Sequence, residues 1–346
     1  MRKIILCLAL GSGLLAARAA EPGKPISVKV VIVTTFEVGA DTGDKPGEFQ
    51  YWVEREKLTE SIKVPGMTHP VLTNGQGVLG VVSGTTARCG NQIMALGLDP
   101  RFDLTKAYWV INGIAGVDPA DASLGSAAWS RYVIDGDVAY EIDSREADPK
   151  WPYAIIAIGA KQPNEIPKNE GWEPDAMSYE LNPALVARAF ALSKDVPLVD
   201  TPEMQAYRAT YVGFPNARKP PFVLYGDSFG SCRYWHGVTL TQWANDWTKL
   251  WTKGQGNFVM SDMEDQGIAS ALTILTKMGR VDFQRLLVLR TGSNYCMPAP
   301  QQGVVNSMQA EYAGYLPSLE SAYRVGSVVV HDIVKNWDAE YAAGVK

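Results

Sequence analysis

Three features of the sequence predict an α/β fold, a three-layer α/β/α sandwich around a central mixed sheet. Short, continuous β-branched runs such as residues 28–35 (VKVVIVTT) read as strands buried on both faces. Longer amphipathic stretches alternate with these runs and supply the helices that such strands need for cover. Residues 129–142 (WSRYVIDGDVAYEI) read instead as an antiparallel excursion turning at Asp135-Gly136, which makes the sheet mixed.

Taken in order, strands are expected at 28–35, 77–83, 107–112 and 285–291, and helices at 85–96, 182–194, 240–253, 261–279 and 318–337. The helix at 182–194 has the strongest start signal, with Asn182 as N-cap and Pro183 at its first position. Trp243, Trp247 and Trp251 recur at i, i+4 and i+8 and mark a packing face. Residues 144–221, rich in Pro, Asn and Asp, interrupt the strand rhythm with two short helices and read as an insertion over the sheet edge or pocket. No linker marks a second domain, so residues 20–346 are expected to form one. His331, among Arg324, Ser327 and Lys335, reads as a solvated residue of the last helix.

Composition narrows the function. The chain of 346 residues is 46% hydrophobic and 20% charged, enough to bury a large core. A formal charge of −5 with scattered Lys and Arg argues against a nucleic-acid partner. Residues 4–17 form an apolar run behind Arg2 and Lys3 and lead into Ala17-Arg18-Ala19, the pattern of a signal peptide over residues 1–19. The expected product is a soluble, exported, periplasmic protein. No later window holds the roughly 18 consecutive apolar residues of a membrane span. Beyond residue 19 the cysteines are Cys89, Cys232 and Cys296, which lack Cys-x-x-Cys spacing and allow at most one bridge. His69, His236 and His331 show no metal-ligand spacing, so neither a metal nor a cofactor is expected.

The richest stretch is residues 256–279, GNFVMSDMEDQGIASALTILTKMG, followed after five residues by LLVLRTGSNY. An apolar strand feeds a helix opening with Ser261-Asp262-Met263-Glu264, and the next strand delivers Ser293 and Asn294 at its end. Ligands of open α/β sheets bind just outside such strand ends. Ser261-x-x-Glu264 is equally a capping box, in which Glu264 bonds back to the backbone of Ser261.

Asp-Met-Glu at a helix start, paired with a downstream Arg-Thr-x-Ser-Asn, is similar to the purine nucleoside phosphorylase and nucleosidase superfamily. More closely, residues 27–338 resemble the purine nucleoside permease family, through EVGADTGDKPGEFQYWVEREKL, IMALGLDPRFDLTKAYWVINGIAGVDPADASLGSAAW, YWHG, QWANDW, GNFVM, LRTGSNYCMP and YLPSLESAYRVGS.

The resemblance implies a purine nucleoside as partner, and a homo-oligomer is a further expectation. It implies that Met263 packs under the sugar and that Glu264, as an acceptor-only carboxylate, takes hydrogen bonds from the ribose hydroxyls. Ser293 and Asn294 would face the purine N7 edge, with Asn294 donating a hydrogen bond where many relatives have a proton-donating Asp. Tyr234 or Trp235 would stack on the base and His236 would line the same pocket; each reads otherwise as packing. Phosphorolytic relatives carry anion ligands where this chain has Ile111 and Ile114. The remaining anion candidate is Gly84-Thr85-Thr86-Ala87-Arg88, with Thr86 and Arg88 at a helix N-terminus. Water then becomes the expected nucleophile, and its base is expected to be Glu48, with Glu37 second. The implied activity is hydrolysis of the N-glycosidic bond without metal or phosphate. Two alternatives stay open: a non-catalytic nucleoside-binding component of an uptake system, and phosphorolysis.

Overall fold

A computed structural model describes residues 24–167, 177–309 and 313–346; the expected signal peptide lies outside them. Among the described residues twelve strands share one sheet: β1 (Val30–Thr34), β2 (Glu60–Ile62), β3 (Val71–Thr73), β4 (Val78–Val82), β5 (Tyr108–Val117), β6 (Ala127–Trp129), β7 (Tyr132–Asp135), β8 (Ser178–Glu180), β9 (Val223–Tyr225), β10 (Asp227–Gly230), β11 (Phe258–Asp262) and β12 (Leu286–Tyr295). The helices are α1 (Gln50–Glu56), α2 (Ala87–Leu98), α3 (Pro183–Ser193), α4 (Pro202–Ala209), α5 (Val238–Trp251), α6 (Asp265–Lys277), α7 (Val304–Met308) and α8 (Tyr315–Lys335).

The strand order is β8-β7-β10-β11-β5-β1-β4-β3-β2, with β12 on the other edge of β5, β6 beside β12 and β9 beside β6. Parallel pairs (β1 with β4 and β5, β12 with β5, β10 with β7 and β11) coexist with antiparallel ones (β11 with β5, β12 with β6), so the sheet is mixed as expected. All five residues of β1 are buried, as a β-branched run flanked by two parallel strands must be. Helices α2 and α6 pack on each other, while α8 crosses β5 and β12 with α1 and α3 against it. Asn182 caps α3 as anticipated, its Oδ1 accepting from the N–H groups of Ala184 and Leu185.

The branching of β5 creates the site. One of its edges is taken by β12 along nearly its whole length. The other pairs with β1 from Tyr108 to Ile111 and then, after a break, with β11 at Gly116 and Val117. Residues 112–115 therefore face a gap where two neighbouring strands diverge.

Several expectations need correction. The strands expected to end at 112 and 291 run on to Val117 and Tyr295, so Ser293 and Asn294 lie within a strand. Ser261 and Asp262 belong to β11, and helix α6 begins only at Asp265. No hairpin closes at Asp135-Gly136: β7 pairs with β8 and β10, while Ala139–Glu141 pairs with Ile155–Ala157. His331 is exposed as expected, and it also pairs with Glu56 at 2.9 Å, tying α8 to α1. Trp243 and Trp247 are buried as their spacing suggested. Cys89, Cys232 and Cys296 are free thiols. Among the described residues no helix is long and apolar enough to cross a membrane.

Candidate functional site

Glu48 fills the gap beside β5. Its Oε1 accepts a 2.7 Å hydrogen bond from Ile114 N–H, and its Oε2 accepts from Thr35 N–H at 2.8 Å and Thr35 Oγ1 at 2.7 Å. One carboxylate thus bridges the end of β1 to the middle of β5. It satisfies backbone donors that the diverging strands leave without ladder partners. Gly113 makes room for it, because a Cβ there would collide with Glu48 Oε1 and Arg290 Nη1. Burial pushes the Glu48 carboxyl up, against the opposing pull of Arg290 and of these hydrogen bonds.

Arg290, in the middle of β12, is fully buried and is the centre of the site. Asp265 grips it through Nη2 at 2.5 Å and Nε at 3.2 Å. Nη2 also reaches Glu264 Oε2 at 3.1 Å and lies 3.9 Å from Asp262, while Nη1 donates to Ile114 O at 3.3 Å and lies 3.6 Å from Glu48 Oε1. Ser228 Oγ bridges the pair behind, donating to Asp262 Oδ2 or, at 2.6 Å, to Asp265 Oδ2. Four carboxyl groups therefore surround one guanidinium. Burial is the main cause that raises Asp262 to about 6 and Glu264 to about 8; Arg290 opposes both shifts, and the neighbouring carboxylates add to them.

Glu264 does not form a capping box. Asp262 Oδ1 caps α6 instead, accepting from the N–H groups of Glu264 at 2.9 Å and Asp265 at 2.8 Å. Ser261 Oγ turns to Gly116 O. Glu264 is thereby freed to point at Arg290. Its Oε2 also takes the Met263 N–H at 3.1 Å, and its Oε1 has no donor among the described residues.

Gly116 pairs with Ser261 on one side and Asn294 on the other, which sets the Met263-Glu264 and Ser293-Asn294 segments next to each other. Asn294 Oδ1 lies 2.9 Å from Ser293 Oγ, which directs Nδ2 to Tyr234 OH and Tyr295 O, both at 3.2 Å. Tyr234 is 47% exposed and sits beside Asn294, whereas Trp235 is buried edge-on against Phe229 and Trp243. Of the two aromatic candidates, Tyr234 is the one at the site. His236 bonds Ser307 Oγ at 3.0 Å, tying its turn to α7, and burial lowers its basicity.

Glu37 is differently employed. It accepts from the N–H groups of Val38, Gly47, Phe49 and Gln50 and so caps the start of α1. It holds the turn that presents Glu48. Thr86 has φ +60° and ψ −146°, a conformation that a β-branched residue rarely adopts, and its N–H is spent on Met263 O at 3.1 Å. Arg88 is exposed on the first turn of α2. A cavity of about 880 Å³ lined by Lys45, Tyr51 and Tyr315 includes none of the candidate residues among its lining. The site is defined by its buried polar cluster and not by that cavity. Arg290 and Asp262 stand in the motifs that carry the resemblance, but neither they nor Asp265 were expected to be site residues. The available signal was a lone arginine inside the apolar run LLVLRTG, where an unpaired charge would be costly.

The branched sheet, with this polar cluster at its strand ends, defines a protein of the nucleoside phosphorylase and nucleosidase fold. Futalosine hydrolase of Helicobacter pylori superposes with a TM-score of 0.54 at 13% identity, covering 88% of this chain and 98% of that one. The MTA/SAH nucleosidase of Streptococcus pneumoniae, solved with 8-aminoadenine, gives 0.51 at 12% identity, covering 88% and 99%. In sequence, the family profile described as purine nucleoside permease (NUP) matches residues 27–346. A purine nucleoside permease of Candida albicans is 28% identical over 349 residues, 94% of this chain and 80% of the relative. A probable purine nucleoside permease of Schizosaccharomyces pombe is 30% identical over 259 residues, 72% of this chain and 74% of the relative. The chain belongs to the purine nucleoside permease family.

Proposed function

We propose that this protein binds a purine nucleoside and hydrolyses its N-glycosidic bond. The observation that carries the reading is that one buried guanidinium, Arg290, gathers Glu48 and Glu264 from segments more than two hundred residues apart. Glu264 receives the ribose hydroxyls above Met263, and the base lies against Asn294 and Tyr234. Glu48 has about four lone-pair sites, three of which are engaged, leaving one on Oε1 to take a proton from water. Water oxygen adds to C1′ as the C1′–N bond breaks and its electron pair leaves with the purine. The positive charge that grows on the sugar meets an acidic, buried wall, and the negative charge on the base meets the Asn294 amide.

Water is favoured over phosphate because the guanidinium is committed to protein acceptors and Ile114 N–H to Glu48. Release of free base from inosine in phosphate-free buffer supports hydrolysis, while strict phosphate dependence overturns it in favour of phosphorolysis. A second reading, non-catalytic binding in nucleoside uptake, is favoured by the permease name of the family. Saturable binding without turnover would select it. The apolar run at residues 4–17 supports export to the periplasm in either case, which N-terminal sequencing of protein from that compartment tests.

A further inference from the structure

We propose that nucleoside binding at this site is proton-linked: the ribose diol displaces a proton that the empty carboxyl cluster holds, so the protein binds nucleoside and releases H⁺ in one coupled equilibrium. This rests on the ribose position proposed for Glu264.

The geometry supplies the proton. Glu264 faces Glu48 from the segment before α1, Asp262 at the end of β11, Asp265 at the start of α6 and Arg290 from β12. The Cys89 thiol of α2, which burial keeps protonated, lies against Glu264 O. Four buried carboxyl groups against one guanidinium cannot all be ionised in a medium of low polarity. The proton falls on the group least compensated by donors. Asp265 takes two guanidinium bonds, Asp262 takes two backbone N–H groups and a share of the Ser228 hydroxyl, and Glu48 takes three donors. Glu264 has one arginine bond, from an Nη2 shared with Asp265, plus its neighbour's N–H, and one oxygen without a donor.

Two ribose hydroxyls supply the missing donors. They stabilise the ionised form, and the O–H proton of Glu264 passes to solvent. The burial of these groups acts in the same direction in the free protein, holding Glu264 protonated below about pH 8. Affinity should accordingly tighten with rising pH, by up to about tenfold per pH unit, and level off above that value.

The test is titration calorimetry of the full-length protein with formycin B, a C-nucleoside whose C–C bond cannot be hydrolysed. It is run at pH 6.5 in two phosphate-free buffers of different ionisation enthalpy. About one proton released per ligand bound is expected. Release should fall toward zero in Glu264→Gln, with weaker binding, and should persist in Glu264→Asp. Binding whose heat is independent of the buffer, and whose affinity is flat from pH 6 to 7.5, overturns the proton linkage but leaves the nucleoside reading standing. Absence of any binding by folded wild-type protein overturns both.

Discussion

Arg290 donates from Nη2 to Glu264 Oε2 at 3.1 Å, with both side chains buried and the same nitrogen held by Asp265 at 2.5 Å. That shared bond orients Glu264 toward the site without saturating it. Glu264→Gln should therefore cost nucleoside affinity about 1.5–3 kcal/mol, the scale of a hydrogen bond to a charged group. Free purine, which lacks the ribose that the proposal assigns to Glu264, should bind almost unchanged. Equal losses for nucleoside and free base would place Glu264 outside the ribose site.

The same cluster should make the empty protein less stable as pH rises. Asp262 and Glu264 are raised to about 6 and about 8 in the fold, from ordinary values of 3.8 and 4.5. Between the ordinary and raised values the unfolded chain has released protons that the native state still holds, so stability falls across that window. Asp135 and Asp227, each raised by burial to about 6, act in the same direction. Glu264→Gln isolates its own share: the variant's melting temperature should match wild type near pH 4 and exceed it at pH 8, by the equivalent of a few kcal/mol. A constant difference across that range would show that Glu264 does not carry the proton.

Thr86 sits at φ +60° and ψ −146°, a combination used almost only by glycine, with its N–H bonded to Met263 O. Thr86→Gly should relieve strain of about 1–3 kcal/mol, less up to ~1 kcal/mol for the greater freedom of an unfolded glycine. A higher denaturation midpoint at unchanged slope is the expected result, and a lower midpoint would show that the threonine side chain contributes more than its backbone costs.

What the sequence revealed follows from the range of the interactions involved. The buried strands β1 and β4 and the start of α3 are written in local patterns, a β-branched run and an Asn-Pro cap. The partners of β7 are not local: the turn residues Asp135-Gly136 are present, but β8 and β10 compete for the strand and win. Asp262 looked like the second residue of a helix because Ser-x-x-Glu has capping-box spacing; the structure gives the capping role to Asp262 itself and sends Glu264 elsewhere. Glu48 was legible only through family resemblance, since its value lies in bridging Thr35 to Ile114 across a strand divergence that no spacing encodes. His331 is solvated as its polar surroundings suggested, whereas its partner Glu56 stands 275 positions away and no local spacing points to it.

Asn294 presents an amide NH₂, now on Tyr234 OH, where a purine N7 or O6 would take over the bond. An amide donates a hydrogen bond but delivers no proton, which favours leaving groups that spread charge onto O6. Turnover should prefer inosine and guanosine to adenosine, and Asn294→Asp should tilt the ratio toward adenosine. Equal kcat/KM for inosine and adenosine in wild type, unmoved in the variant, would contradict this assignment.

The most direct measurement is the rate of hypoxanthine release from inosine in phosphate-free buffer by wild type and Glu48→Gln, alongside formycin B affinity for both. Wild type should turn over without phosphate. Glu48→Gln should lose at least about a hundredfold in rate, the usual scale of general-base catalysis, while its affinity changes little. A variant that hydrolyses inosine as fast as wild type would remove Glu48 from the chemistry and contradict the proposed mechanism.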